Sequence, residues 1–156
     1  MKLYFLRHAE ASYDAPSDDV RPLTPHGIER TRTAARVLRK LNIAPQHIFS
    51  SPRVRAQQTA EIVARELGVD VEISEEVNFG FSIESVLTLL GGVGDDVDEV
   101  MFVGHNPSMS EVVSELTGAE LSLRKSGLAR VDVSSATSLD GELVWLIAPK
   151  IFDVLV

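Results

Sequence analysis

The chain contains no cysteine among its 156 residues. That absence excludes disulfide staples, thiolate metal sites and a cysteine nucleophile together. Positive charge is scarce as well: 15 Lys and Arg stand against 23 Asp and Glu, a formal net charge of −8 that repels a polyanion and argues against general nucleic-acid binding. Any affinity for anions must be local. No apolar run approaches the roughly 20 residues of a membrane span, and the opening Met1-Lys2-Leu3-Tyr4-Phe5-Leu6 is too short for a secretory core. The expectation is a cytoplasmic chain that binds no membrane. The four histidines show no H-E-x-x-H or comparable ligand spacing, so neither a metal nor any other cofactor is expected. Internal repeats and low-complexity linkers are also missing, which predicts one domain over residues 1–156. With 44% hydrophobic and 24% charged residues, that domain is folded rather than disordered.

What the sequence does contain is an alternation of apolar runs with amphipathic segments, the pattern of an α/β fold. Leu3 to Leu6 reads as the first strand. Thr24 and Pro25 supply an N-cap and a first-turn proline for a helix whose predicted stripe is Ile28, Thr31, Ala35, Leu38 and Leu41, with Arg30, Arg32, Arg36 and Arg39 solvated. A second helix is expected from about Pro52, turning Ala56, Ala60, Val63 and Leu67 inward and ending at Gly68, a left-handed cap. Val69 to Ile73 alternates as a strand, and Ser82 to Leu90 reads as helical. Asn106-Pro107 repeats the cap-plus-proline device for a helix carrying Met109, Val112, Val113 and Leu116 up to Gly118. Leu128 to Val133 and Leu143 to Ile147 are the expected last strands, a hairpin around Asp140-Gly141. The apolar tail Ile151 to Val156 is expected to dock on the core rather than on a second copy.

Chemistry gathers where the strands end. Arg7-His8 closes the first strand, Ser51-Pro52-Arg53-Val54-Arg55-Ala56-Gln57-Gln58-Thr59-Ala60 follows His47-Ile48-Phe49, and Gly104-His105-Asn106-Pro107 follows Val100 to Val103. A third arginine stands in Arg21-Pro22-Leu23-Thr24-Pro25-His26-Gly27. In an open parallel sheet, ligands bind outside the carboxyl ends of the strands. A neutral imidazole there can attack phosphorus while guanidinium forks hold the phosphoryl oxygens. Two histidines and several arginines at sheet ends therefore point to phosphoryl transfer.

These four ordered motifs, L-R-H-[GA]-E, R-P-L-T-x-x-G, S-P-x-x-R-A-x-Q-T-A and G-H-N-P, run from Lys2 to about Thr117. In them the chain resembles the histidine phosphatase superfamily, and within it the short bacterial phosphohistidine phosphatases of the SixA type. The resemblance implies a phosphoglycerate-mutase-like fold, a three-layer sandwich with a mostly parallel sheet flanked by helices. It implies His8 as nucleophile, Arg7 and Arg55 on the phosphoryl group, His105 completing the pocket, and Arg21 as an accessory substrate contact. Two positions depart from the wider family. Ala9 stands where many relatives have Gly, and Asn106 stands where the acid-phosphatase branch carries its acidic proton donor.

The expected reaction has two steps, attack by His8 and then hydrolysis of the phosphorylated imidazole. The leaving group is left open by the residues. Glu75 and Glu76, just after the third strand, are the candidate general acids, with Asp18 and Asp19 behind them. An ester expels a poor alkoxide and wants such an acid, whereas phosphohistidine expels imidazole and needs less help. With no long insertion to form a substrate lid, the preferred substrate is phosphohistidine on a partner protein. A small phosphorylated metabolite is the alternative, ahead of a mutase or a phosphate-binding module without turnover. Asp96-Val97-Asp98 and Gly91 to Gly94 resemble metal-phosphatase and phosphate-loop motifs only superficially: the aspartates precede a strand, and the glycines lack the following Lys-Ser/Thr.

Overall fold

Leu3 to Leu6 point alternately to opposite sides, and both sides are covered: Leu3 and Phe5 enter one hydrophobic cluster, Tyr4 and Leu6 another. Strand β1 (Lys2–Arg7) is therefore buried on both faces, as in doubly wound sheets. The computed structural model describes residues 1–156. After β1 come α1 (Pro25–Lys40), β2 (His47–Ser50), α2 (Val54–Leu67), β3 (Val71–Ile73), α3 (Ile83–Gly91), β4 (Glu99–Gly104), α4 (Ser108–Thr117), β5 (Leu128–Val133), β6 (Gly141–Ile147) and α5 (Pro149–Leu155). Short 3-10 turns lie at Asp18–Val20 and Glu75–Val77. The strands form one sheet in the order β3-β2-β4-β1-β5-β6. The first four are parallel, β5 runs antiparallel to β1, and β6 antiparallel to β5. Helices α3 and α4 cover the Phe5 face; α1, α2 and α5 cover the Tyr4 face. This is the expected three-layer α/β sandwich. No helix is long and apolar enough to cross a membrane.

The helix signals act as read, with shifts that packing explains. Thr24 caps α1 by accepting from the Gly27 N–H at 3.0 Å. A Cβ at Gly27 would lie 2.3 Å from the Glu10 carbonyl oxygen, so only glycine lets α1 approach the segment that follows His8. The inward stripe of α1 is rotated toward Ala34 and Val37, while Ile28 is half-buried and Leu41 exposed. Arg30 is not solvated. It pairs with Asp153 and donates to the Pro149 carbonyl, tying α1 to α5. Gly68 and Gly118 take the left-handed φ expected of them, 73° and 74°.

Two further differences concern ends of elements, and the tail docks on the core as expected. Helix α4 begins at Ser108 with Pro107 in the cap position, and Asn106 Oδ1 accepts from the Ser110 N–H and hydroxyl. The β5–β6 connection occupies residues 134–140, so Gly141 is already the first residue of β6 and not part of a two-residue turn. The tail forms α5 and docks through Phe152, which is fully buried, while Val154 remains 80% exposed.

Candidate active site

Register places the chemistry. Arg7 lies opposite Gly104, and Ser50 opposite Val103, so the residues that follow β1, β4 and β2 leave the sheet at one carboxyl edge. The His8 N–H then bonds the Gly104 carbonyl at 3.0 Å and the Ser51 N–H bonds Val103 at 3.1 Å. His8 and His105 face one another with ring centroids 5.2 Å apart.

His8 is 7% exposed, and its Nδ1 lies 2.7 Å from the Ala9 carbonyl oxygen. A carbonyl only accepts, so Nδ1 carries the hydrogen and Nε2 keeps its lone pair. Burial pushes His8 down to about 4; the Ala9 bond opposes this, and Arg55, Arg7 and Lys125 reinforce it. The ring is therefore neutral at pH 7. Burial, then the His8, Arg55 and Arg53 neighbours, push His105 down to about 3. Its Nε2 lies 2.8 Å from Ser51 Oγ.

The arginines are anchored at one end and free at the other. Arg7 Nη1 donates to the Leu123 carbonyl at 3.0 Å, and Arg55 donates through Nη1 to the Asp18 carbonyl at 2.8 Å and through Nη2 to its carboxylate at 3.1 Å. Three buried side-chain polar atoms have no partner: Arg7 Nε, Arg55 Nε and His105 Nδ1. Buried polar groups are nearly always paired, so three orphans on neighbouring residues mark a place for an acceptor.

Asp18 forms the rim. Desolvation pushes its carboxyl upward, but hydrogen bonds from Arg21 and Arg55 and the charges of Arg55 and Arg53 hold it below the usual carboxylate range. Arg53 is thus a rim residue that shares Asp18 with Arg55. Its guanidinium sits 3.8 Å from the centroid of Phe79, whose ring meets His105 edge-on at 4.8 Å. Arg21 spends its donors on Ser12, Ala11 and Asp18 and stacks on Tyr13. Glu75 accepts from Asn78, which in turn accepts from Arg53, and so it borders a cleft of about 430 Å³ beside Asp18. Glu76 is exposed.

Several residues hold this arrangement without facing the ligand. Thr59 Oγ1 accepts from the Ala9 N–H at 3.1 Å and donates to the Arg55 carbonyl at 2.8 Å, linking the histidine segment to the arginine helix. Gln58 accepts from Leu23 N–H at 2.7 Å. Asn106 Nδ2 donates to the same Leu123 carbonyl that receives Arg7. The sequence marked Gln58 and Thr59 as motif letters but carried no sign of these partners. Phe79 and Leu123 lie in segments without periodic patterning and gave no signal.

The family model described as "Histidine phosphatase superfamily (branch 1)" matches residues 3–80. The chain is 29% identical to the phosphohistidine phosphatase SixA of Escherichia coli K12, over 96% of this chain and 94% of that protein. Among solved structures, it superposes on the protein histidine phosphatase SixA complexed with tungstate with a TM-score of 0.87 and 28% identity, covering 97% of this chain and 99% of that one. A putative alpha-ribazole-5'-P phosphatase from Escherichia coli shares the fold, with a TM-score of 0.75 at 17% identity, over 96% of this chain and 98% of that one.

Proposed function

The chain belongs to the histidine phosphatase superfamily, and on that premise we propose that it is a phosphatase working through a phosphohistidine on His8, with phosphohistidine on a partner protein as substrate. One observation carries the reading: Arg7, Arg55 and His105 each keep a buried nitrogen without a partner, and the charges of the first two and the ring of the third bear on a neutral, buried imidazole. Leaving buried donors unpaired costs about 1–3 kcal/mol each. Phosphoryl oxygens accept from all three, so the site is complementary to the charge that spreads over them in the transition state. With the Ser51 hydroxyl donating to His105 Nε2, the hydrogen of that ring sits on Nδ1 and completes the donor set.

In the first step His8 Nε2 attacks phosphorus in line. The bond from phosphorus to the substrate imidazole breaks, and solvent protonates that imidazole as it leaves. Water then attacks the phosphorylated His8, its proton passes to solvent, and inorganic phosphate departs from a regenerated neutral ring. Charge neutralisation falls on Arg7 and Arg55. No group of three His, Asp or Glu side chains is placed to hold a metal ion, and the proposed chemistry calls for none. The leaving group favours a P–N substrate on a local argument. The carboxylate nearest the arginines, Asp18, is held ionised, while Glu75 is engaged by Asn78 and Glu76 is exposed. Asp18 in that state is no proton donor for an alkoxide.

The test is His8→Ala with phosphoramidate and a phosphohistidine protein, beside acid-labile, base-stable labelling of wild-type His8 in a quenched reaction. Loss of turnover with retained folding is expected, and near wild-type activity would remove the covalent scheme. Faster hydrolysis of sugar phosphates than of phosphohistidine would move the assignment to a small-molecule phosphomonoesterase.

A further inference from the structure

Bordered by Arg7 lies a cleft of about 630 Å³ with a cationic lining. Its walls are Arg7, Arg30, Arg124, Lys125 and Lys150, with Ala148 and Pro149 as the uncharged residues and no carboxylate among them. Arg30 is already neutralised by Asp153. Arg124, Lys125 and Lys150 are exposed and form no ion pair. In a chain of net charge −8, four cations without a carboxylate partner around one opening are a local reversal of the overall field.

Two of these cations are built into the catalytic strand's own support. Arg124 to Gly127 form a tight turn closed by Gly127 N–H to the Arg124 carbonyl at 2.7 Å. Ser126 N–H donates to the Arg7 and His8 carbonyls at 3.1 and 3.2 Å, and Arg7 N–H donates back to Gly127 at 3.1 Å. To make these bonds the buried Ser126 takes φ of 65°, a conformation that costs a non-glycine residue energy. The turn therefore presents Arg124 and Lys125 at a fixed place next to the nucleophile. Their charges are felt there: Arg124 bears on Arg7 and Lys125 on His8.

We propose that this cleft docks an acidic surface flanking the phosphohistidine of the partner protein, an inference that rests on the phosphohistidine reading above. Small-molecule sites place only a few polar groups, whereas five of the seven residues here end in a cation. Solvated lysine and arginine side chains suit several carboxylates spread over a protein surface, where complementary charge raises the encounter rate and sets orientation.

The experiment compares wild type with Lys150→Glu, the cleft cation with no tie to Arg7 or His8, on three substrates: phosphoramidate, a phosphohistidine peptide with acidic flanks, and the same peptide with neutral flanks. Wild type is expected to favour the acidic peptide about tenfold in kcat/KM at low salt. The preference should vanish at high salt and fall severalfold in the variant, while phosphoramidate turnover stays unchanged and reports an intact fold and site. Turnover without flank preference overturns the docking inference alone, as does a variant that loses all three substrates equally. Stronger competition by a small bisphosphate than by an acidic peptide without phosphate also overturns it, giving the cleft to a metabolite. Failure of wild type on every P–N substrate overturns the functional reading itself, and the docking inference with it.

Discussion

Replacing His8 by Asn, which cannot titrate, should flatten the acid side of the stability profile. In the unfolded chain this histidine titrates near ~6.5, and in the folded chain burial holds it down to about 4. Between those values the unfolded state binds more protons than the native state, so stability falls as pH drops from about 6.5 toward 4 and is unaffected by His8 above that window. At pH 5 the linkage for these two values amounts to about 2 kcal/mol relative to pH 7.5, approaching roughly 3.4 kcal/mol below both. His105, pushed down to about 3, acts in the same direction and remains in the variant. The depressed carboxylates, Asp18, Glu99 and Asp132, act in the same direction but at lower pH. Their contribution is full above the unfolded carboxyl pKa of about 4 and is lost below it, so it lies outside the window. Urea unfolding at pH 7.5 and pH 5 measures the difference. The wild type should lose about 2 kcal/mol more than His8→Asn over that interval, and the Cε1 resonance of His8 should stay flat from pH 8 to pH 5. Parallel profiles for the two proteins, or a midpoint near 6.5 for His8, would refute the burial argument and the neutral nucleophile built on it.

Arg55→Ala should lower kcat on phosphoramidate by about 10²–10³, the range for removing one transition-state donor, and Arg55→Lys should not restore it because a lysine cannot reproduce the planar fork; a loss under tenfold would place Arg55 outside the phosphoryl contact. Thr59→Val leaves the Ala9 N–H buried without an acceptor, so it should cost about 1–3 kcal/mol in urea unfolding and reduce kcat together with stability. Asp18→Asn frees Arg55 and Arg53 from a carboxylate that is 49% exposed, and exposed ion pairs are worth ~0–1 kcal/mol; tungstate titrated by calorimetry should bind up to about fivefold more tightly, and weaker binding would mean that Asp18 organises the arginines rather than competing for them. Turnover should persist in a strong chelator, and loss of activity restored by magnesium would contradict neutralisation by arginine.

Which parts of this site were legible follows from how each part is encoded. His8, Arg7 and His105 were readable because β-strands end where apolar runs end, and the parallel order β4-β1 brings those ends to one edge without further information. Thr24, Gly68 and Gly118 were readable for a related reason, since capping is settled within a few residues. The extent of burial on α1 was not, because Arg30 is drawn inward by Asp153, a partner 123 residues away. The same limit hid the devices that aim the candidate catalytic groups. Asn106 shows it most clearly. From its letter alone it was a missing acid, the position where one branch of the family keeps a proton donor. In place it donates to Leu123 and accepts twice from Ser110, so it ties the start of α4 to the carbonyl that anchors Arg7. A carboxylate there retains the accepting half and loses the donating half, setting its charge against the Leu123 oxygen. The residue that reads as lost chemistry is thus part of the support for an arginine, and the cationic turn from Arg124 to Gly127 begins at the next residue of the loop it holds.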